Sequence, residues 1–200
     1  MSFHPPMSYD VTWHRSTRKL TEPGEPFVLS AERRSRLDEI LERYPPERHR
    51  SAVLPALYLV QDQQGYITAS AITHVAELLG ITPADVEDIV FYYTMFHIRP
   101  VGRFVLRVCR TLSCALNGAE RVTEEICSVL GIKPGETDSS GTFTVLEVEC
   151  LGACDRAPVI MVNDAWQERQ QPQDVARLLV DLRARGESAV TGCHHMIEPR

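Results

Sequence analysis

A chain of 200 residues is long enough for one large domain or two small ones, and at 44% hydrophobic and 24% charged residues it has the make-up of an ordinary globular protein. Its formal net charge of −6 argues against a nucleic-acid partner, because binding a phosphate backbone calls for clustered Lys and Arg. No stretch approaches the roughly 20 apolar residues of a membrane helix. The opening "MSFHPPMSYDVTWHR" has no apolar signal core, so a reducing, cytoplasmic setting is expected, where paired cysteines hold metal or do redox chemistry more often than they form disulfides.

Residues 1–29 are polar and proline-rich ("TEPGEPF") without apolar periodicity and read as an arm. Residues 30–99 read as a small helical bundle. "SAERRSRLDEILERYP" places Leu37, Ile40, Leu41 and Tyr44 on one stripe behind a Ser30 cap, and Pro45-Pro46 stops it. A second helix is expected over about 51–62, with Pro55 tolerated in its first turn. "ASAITHVAELLG" gives a third, closed by Gly80. A fourth begins at "TPADVEDIVFYYTMF", with Thr82 at the N-cap, Pro83 at the first helical position and Asp85 as the acid of a capping box.

The period changes after Pro100, and residues 100–186 read as a small α/β layer. "RFVLRV" alternates as a strand that delivers Cys109 at its carboxyl end. "ALNGAERVTEEICSVLG" returns to helical spacing through Val122, Ile126, Val129 and Leu130 and closes at Gly131. "FTVLEVE" is a second strand delivering Cys150, "PVIMVN" and "AWQER" are two more, and "PQDVARLLVDLRARG" is a final amphipathic helix. Strand, helix, strand implies a parallel pair with a right-handed crossover. Residues 187–200 form a tail without clear period.

Two cysteine pairs therefore occupy comparable places. Cys109 ends one strand with Cys114 five positions on, and Cys150 ends the other with Cys154 in its loop. Ligands of open α/β sheets sit beyond the carboxyl ends of strands, so neighbouring strands would gather four sulfurs at one edge. A C-x4-C and C-x3-C set partly fits the knuckles of structural zinc. It also fits a two-iron cluster, one pair per iron, in a wider footprint. A thioredoxin-type dithiol is poorly supported because C-x-x-C is absent. Nothing resembles G-x-G-x-x-G after a strand or a phosphate loop, so this chain is not expected to bind NADH itself or to hold a complete active site.

"FYYTMFHIRPVGRFVLRVCRTLSC" and "EVECLGACDRAPVIMVND" resemble the small two-iron subunit of the NADH–quinone oxidoreductase family, which has homologues in NAD-reducing hydrogenases and NAD-dependent formate dehydrogenases. The resemblance runs from about residue 34 to 185 and implies a helical bundle followed by a thioredoxin-like domain. It implies one [2Fe-2S] cluster on Cys109, Cys114, Cys150 and Cys154, which passes single electrons to or from the FMN of an NADH-binding partner subunit. Further iron–sulfur subunits, and a place on the cytoplasmic face of the inner membrane without insertion into it, follow from the same resemblance. A zinc-stapled interaction module is the alternative of another class.

Around such a cluster Glu149 and Asp155 would disfavour an added electron, and Arg107, Arg110 and Arg156 would favour it if they point inward. The N-terminus of the helix starting near Cys114 is expected to help hold a negative cluster. Cys127 is expected to be an inert buried thiol, the aromatics of "YYTMF" to be core or interface, and Cys193-His194-His195 to belong to a flexible tail. The remaining histidines, His4, His14, His49, His74 and His97, are scattered. Pro158 opens a strand, and its isomer is not readable from sequence.

Overall fold

The computed structural model describes residues 26–189, and the chain divides into two compact units between Pro100 and Val101. The first unit is helical: α1 (Ala31–Leu41), α2 (Val53–Gln64), α3 (Ala69–Leu79) and α4 (Pro83–Tyr92). Ser30 caps α1 by accepting from the Arg33 amide, and the capping box at Thr82 and Asp85 forms in both directions. The stripe of α1 buries Leu37 and Ile40, with Leu41 and Tyr44 partly covered. Between α1 and α2 the chain makes a short 3-10 helix, Pro46–Ala52, which periodicity does not reveal. Its first residue is a proline, which ends one helix yet suits the first turn of another.

Polar side chains tie this unit's connections to its core. Gln61 on α2 donates from Nε2 to the Met95 carbonyl at 3.0 Å and accepts the His97 amide at 2.7 Å. That fixes the segment after α4, and Phe96 is buried edge-on against Tyr58. Gln63 accepts the Ser30 amide and donates to the Val28 carbonyl, while His74 Nε2 accepts the Leu29 amide. Within "YYTMF", Tyr93, Met95 and Phe96 pack in or against this core and Tyr92 is exposed.

The second unit is a four-stranded sheet with order β2-β1-β3-β4, built from β1 (Phe104–Cys109), β2 (Phe143–Val148), β3 (Ile160–Val162) and β4 (Ala165–Gln167). The β1–β2 pair is parallel and the other two are antiparallel. Phe104, Leu106 and Val108 of β1 join Phe143, Val145, Ile160 and Val162 in one core with α6 (Ala119–Leu130) and α7 (Pro172–Arg185). Fully burying each such side chain contributes roughly 1.5–3 kcal/mol.

The helix expected over residues 115–131 is broken. A short α5 (Leu112–Leu116) stops at Asn117, Gly118 turns left-handed at φ 90°, and α6 starts afresh at Ala119. A β-carbon at that φ is disfavoured, so glycine is the residue that allows the break. Val122 and Ile126 then face inward, and Val129, at the edge of the stripe, is 46% exposed rather than buried. The Ala157–Pro158 bond is cis. Among the described residues no helix is long and apolar enough to cross a membrane.

Candidate metal centre

Parallel pairing sets where the cysteines lie. The register Phe104↔Phe143 through Cys109↔Val148 brings β1 and β2 to their ends side by side, and Cys150 follows Val148 by two residues. Beyond the ladder, the Arg110 amide donates to the Val148 carbonyl at 3.0 Å and the Cys109 amide to the Val159 carbonyl at 3.2 Å. Cys109 is thus held from both neighbouring strands. Cys114 sits inside the five-residue α5, which begins at Leu112, rather than just ahead of the helix expected from residue 115.

The sulfurs come as two pairs of opposite exposure. Cys109 and Cys114 are each 2% exposed, whereas Cys150 and Cys154 are exposed. Cys150 Sγ lies 3.4 Å from Cys154 Sγ. That is far beyond a disulfide bond of about 2.05 Å. It is close to the separation of about 3.8 Å between two thiolates on one tetrahedral metal with bonds of about 2.3 Å.

At both strand ends the residue two positions on places a hydrogen-bonding group against the sulfur. Gly152 N–H donates to Cys150 Sγ at 3.3 Å. The Thr111 hydroxyl lies 3.1 Å from Cys109 Sγ. Gly152 adopts φ 82°, a left-handed turn that aims its amide back at the sulfur.

These contacts divide the protons unequally. Burial opposes ionisation of Cys109, but hydrogen bonds from Thr111, Cys114 and the Leu151 amide outweigh it and hold the thiol below its ordinary range. Burial, together with the hydrogen bond to Cys109, pushes Cys114 up to about 11. The Gly152 amide, then the Cys154 thiol and the Thr111 hydroxyl, hold Cys150 down, and Cys154 is raised by its bond to Cys150 and by that neighbour's charge. In each pair one thiol gives up its proton more readily than the other, and a bound metal would displace both protons.

Among the described residues no three of His, Cys, Asp or Glu close on one point as a single-ion site requires. A two-iron cluster asks instead for two pairs across a wider span, and the donor set fits it.

Of the charged groups beside the cysteines, Glu149, Asp155, Arg110 and Arg156 stand in ion pairs. Arg110 Nη2 is 2.8 Å from Glu149 Oε1. Arg156 pairs with Glu168 and Asp155. Arg107 donates to the Asn163 carbonyl at 2.7 Å, along the sheet. Cys127 is half-buried against the core, and burial, then the charges of Glu147 and Glu136, keep its thiol protonated. Cys193, His194 and His195 lie outside the described residues. Sequence reasoning misses Thr111 and Gly152; the matching Cys-x-Thr and Cys-x-Gly positions are the available signal.

Residues 37–183 match the model of the family described as thioredoxin-like [2Fe-2S] ferredoxin. NADH-quinone oxidoreductase subunit 2 of Thermus thermophilus is 43% identical over 74% of this chain and 82% of its own length. The NADH-quinone oxidoreductase of Pseudomonas aeruginosa has a subunit that is 41% identical over 76% of this chain and 91% of its own length. Among solved structures, a chain of an NAD+-reducing [NiFe]-hydrogenase superposes with a TM-score of 0.60 at 19% identity. It covers 67% of this chain, which spans 23% of the hydrogenase chain, and it shows the fold alone.

Proposed function

Since the chain belongs to the thioredoxin-like [2Fe-2S] ferredoxin family, we propose that it is the electron-carrying subunit of an NADH–quinone oxidoreductase, with Cys109 and Cys114 on one iron and Cys150 and Cys154 on the other. The observation that carries the ligand assignment is the pairing of sulfurs at the ends of two adjacent parallel strands, with Cys150 and Cys154 3.4 Å apart. A bound two-iron cluster stores one electron without taking up a proton. No general acid or base is therefore asked of this chain.

What the chain supplies is position and access. The sheet fixes Cys109, α5 presents Cys114, and the loop at 150–154 brings the second pair to the surface. That exposed edge is where an electron enters from a partner. The partner we propose binds FMN and NADH, beside further iron–sulfur subunits, at the cytoplasmic face of the inner membrane. The family resemblance leaves a second setting for the same centre, the small subunit of an NAD-reducing hydrogenase or NAD-dependent formate dehydrogenase; co-purified subunits separate the two.

The test is purification of the full chain with iron and sulfide analysis and EPR after dithionite reduction. About two irons and about two acid-labile sulfides per chain, with a one-electron signal, are expected. One zinc with no reducible signal would overturn the reading.

A further inference from the structure

Where Ser or Thr stands at an α-helix N-cap among the described residues, its hydroxyl caps the helix, with one departure. Ser30, Thr68 and Thr82 stand at the N-caps of α1, α3 and α4, and each accepts the amide three residues on: Arg33 N at 3.3 Å, Ala71 N at 3.2 Å and Asp85 N at 3.2 Å. Thr111 stands at the N-cap of α5, and its hydroxyl makes no capping bond. It lies 3.1 Å from Cys109 Sγ. A cap of this kind stabilises a helix, and here that contact is forgone.

We propose that Thr111 is a positioning residue whose hydroxyl donates to the strand-end ligand sulfur of Cys109 and thereby raises the reduction potential of the cluster; this rests on the ligand assignment proposed above. Once a thiolate is bound to iron its sulfur only accepts, so the hydroxyl, which could point either way toward a free thiol, is the donor. The strand-end sulfur of the second pair takes a hydrogen bond from two residues on as well, the Gly152 amide at 3.3 Å. Adding an electron makes the cluster more negative, so hydrogen bonds to its sulfurs favour the reduced form more than the oxidised one.

The experiment is an EPR-monitored redox titration of the full chain and of its Thr111→Val, Thr111→Ala and Thr111→Ser variants. At a fixed ambient potential the reduced-to-oxidised ratio should fall about threefold in the Val and Ala variants, roughly 28 mV at 59 mV per decade, and return to the wild-type value in the Ser variant. Potentials unmoved in all three, or lowered as much by Ser as by Val, would overturn the inference while leaving the cluster in place. Where Val and Ala lose iron and Ser keeps it, melting of the metal-free proteins decides. Equal melting temperatures place the effect on the cluster and support the inference; a matching loss of melting temperature makes the residue structural and overturns it. A wild-type chain without iron removes the proposed function, and this inference with it.

Discussion

Arg110 and Glu149 join across the ends of β1 and β2, guanidinium Nη2 to carboxylate Oε1 at 2.8 Å. One follows Cys109 and the other precedes Cys150, so this ion pair links the two segments that carry the sulfur pairs. It also leaves no net charge at that point of the site.

Breaking the pair from either side should therefore move the cluster's potential in opposite directions. Arg110→Gln leaves the Glu149 carboxylate alone and lowers it; Glu149→Gln leaves the guanidinium alone and raises it. Glu149 is 65% exposed, so water screens the interaction. At about 8 Å and a dielectric near that of water, one charge is worth on the order of 0.5 kcal/mol, or about 20 mV. Redox titration should show that order for each single variant and near-cancellation in the double variant. Shifts of the same sign would mean that the pair acts through loop geometry instead.

Gly152 has open space where a β-carbon would stand, so Gly152→Ala meets no clash. Its cost is the left-handed backbone at φ 82°, about 1–2 kcal/mol. Relaxing that strain turns the amide away from Cys150. The expected outcome is less iron per chain after reconstitution, with a smaller loss in the melting of the metal-free protein.

Asp138 organises the turn before β2. Its Oδ1 accepts the amides of Thr142 and Phe143 at 2.7 and 2.8 Å. Burial opposes the charge, but hydrogen bonds from Ser140, Phe143 and Thr142, and the charge of Arg183, hold the carboxyl below its ordinary value. A folded value below the unfolded one, near 3.9, gives stability that is fully present above the unfolded value and is lost as pH falls through the folded one. Asp138→Asn should destabilise by about 1–3 kcal/mol at neutral pH. Thermal melts should converge with wild type as pH falls below the unfolded value and through the lower folded one, and a pH-independent gap would refute the carboxylate's role.

Cys114→Ser and Cys127→Ser make a matched pair. Both replace a thiol on a helix of the second unit, one facing Cys109 and one packed beside the core. The first should lower iron occupancy or change the EPR spectrum, and the second should leave both unchanged. Iron content equally affected by both would remove Cys114 from the ligand set.

The capped helices are legible because each signal is local. Ser30, Thr82, Pro83 and Asp85 act within one turn, and the structure uses them as their spacing implies. The alternation of "RFVLRV" and "FTVLEVE" likewise carries the two strands and the place of Cys109 and Cys150 at their ends. What stays hidden depends on contacts between distant residues or on a choice between two local bonds. Gln61 reaches Met95 and His97 across more than thirty positions, and no periodicity encodes that. Nothing in the periodicity singles out Thr111, and only coordinates show its hydroxyl beside the sulfur. Gly118 is easily passed over because an isolated glycine inside a helical pattern is often tolerated, whereas here it divides α5 from α6.

Cys109 closes a strand flanked on both sides, its own amide tied to Val159 and the next to Val148. An iron fastened there inherits the stiffness of the sheet. When charge arrives, few nuclei have to shift, so the reorganisation energy of transfer is kept small. That makes the middle of a small mixed sheet a good mounting for a relay that has to load and unload quickly.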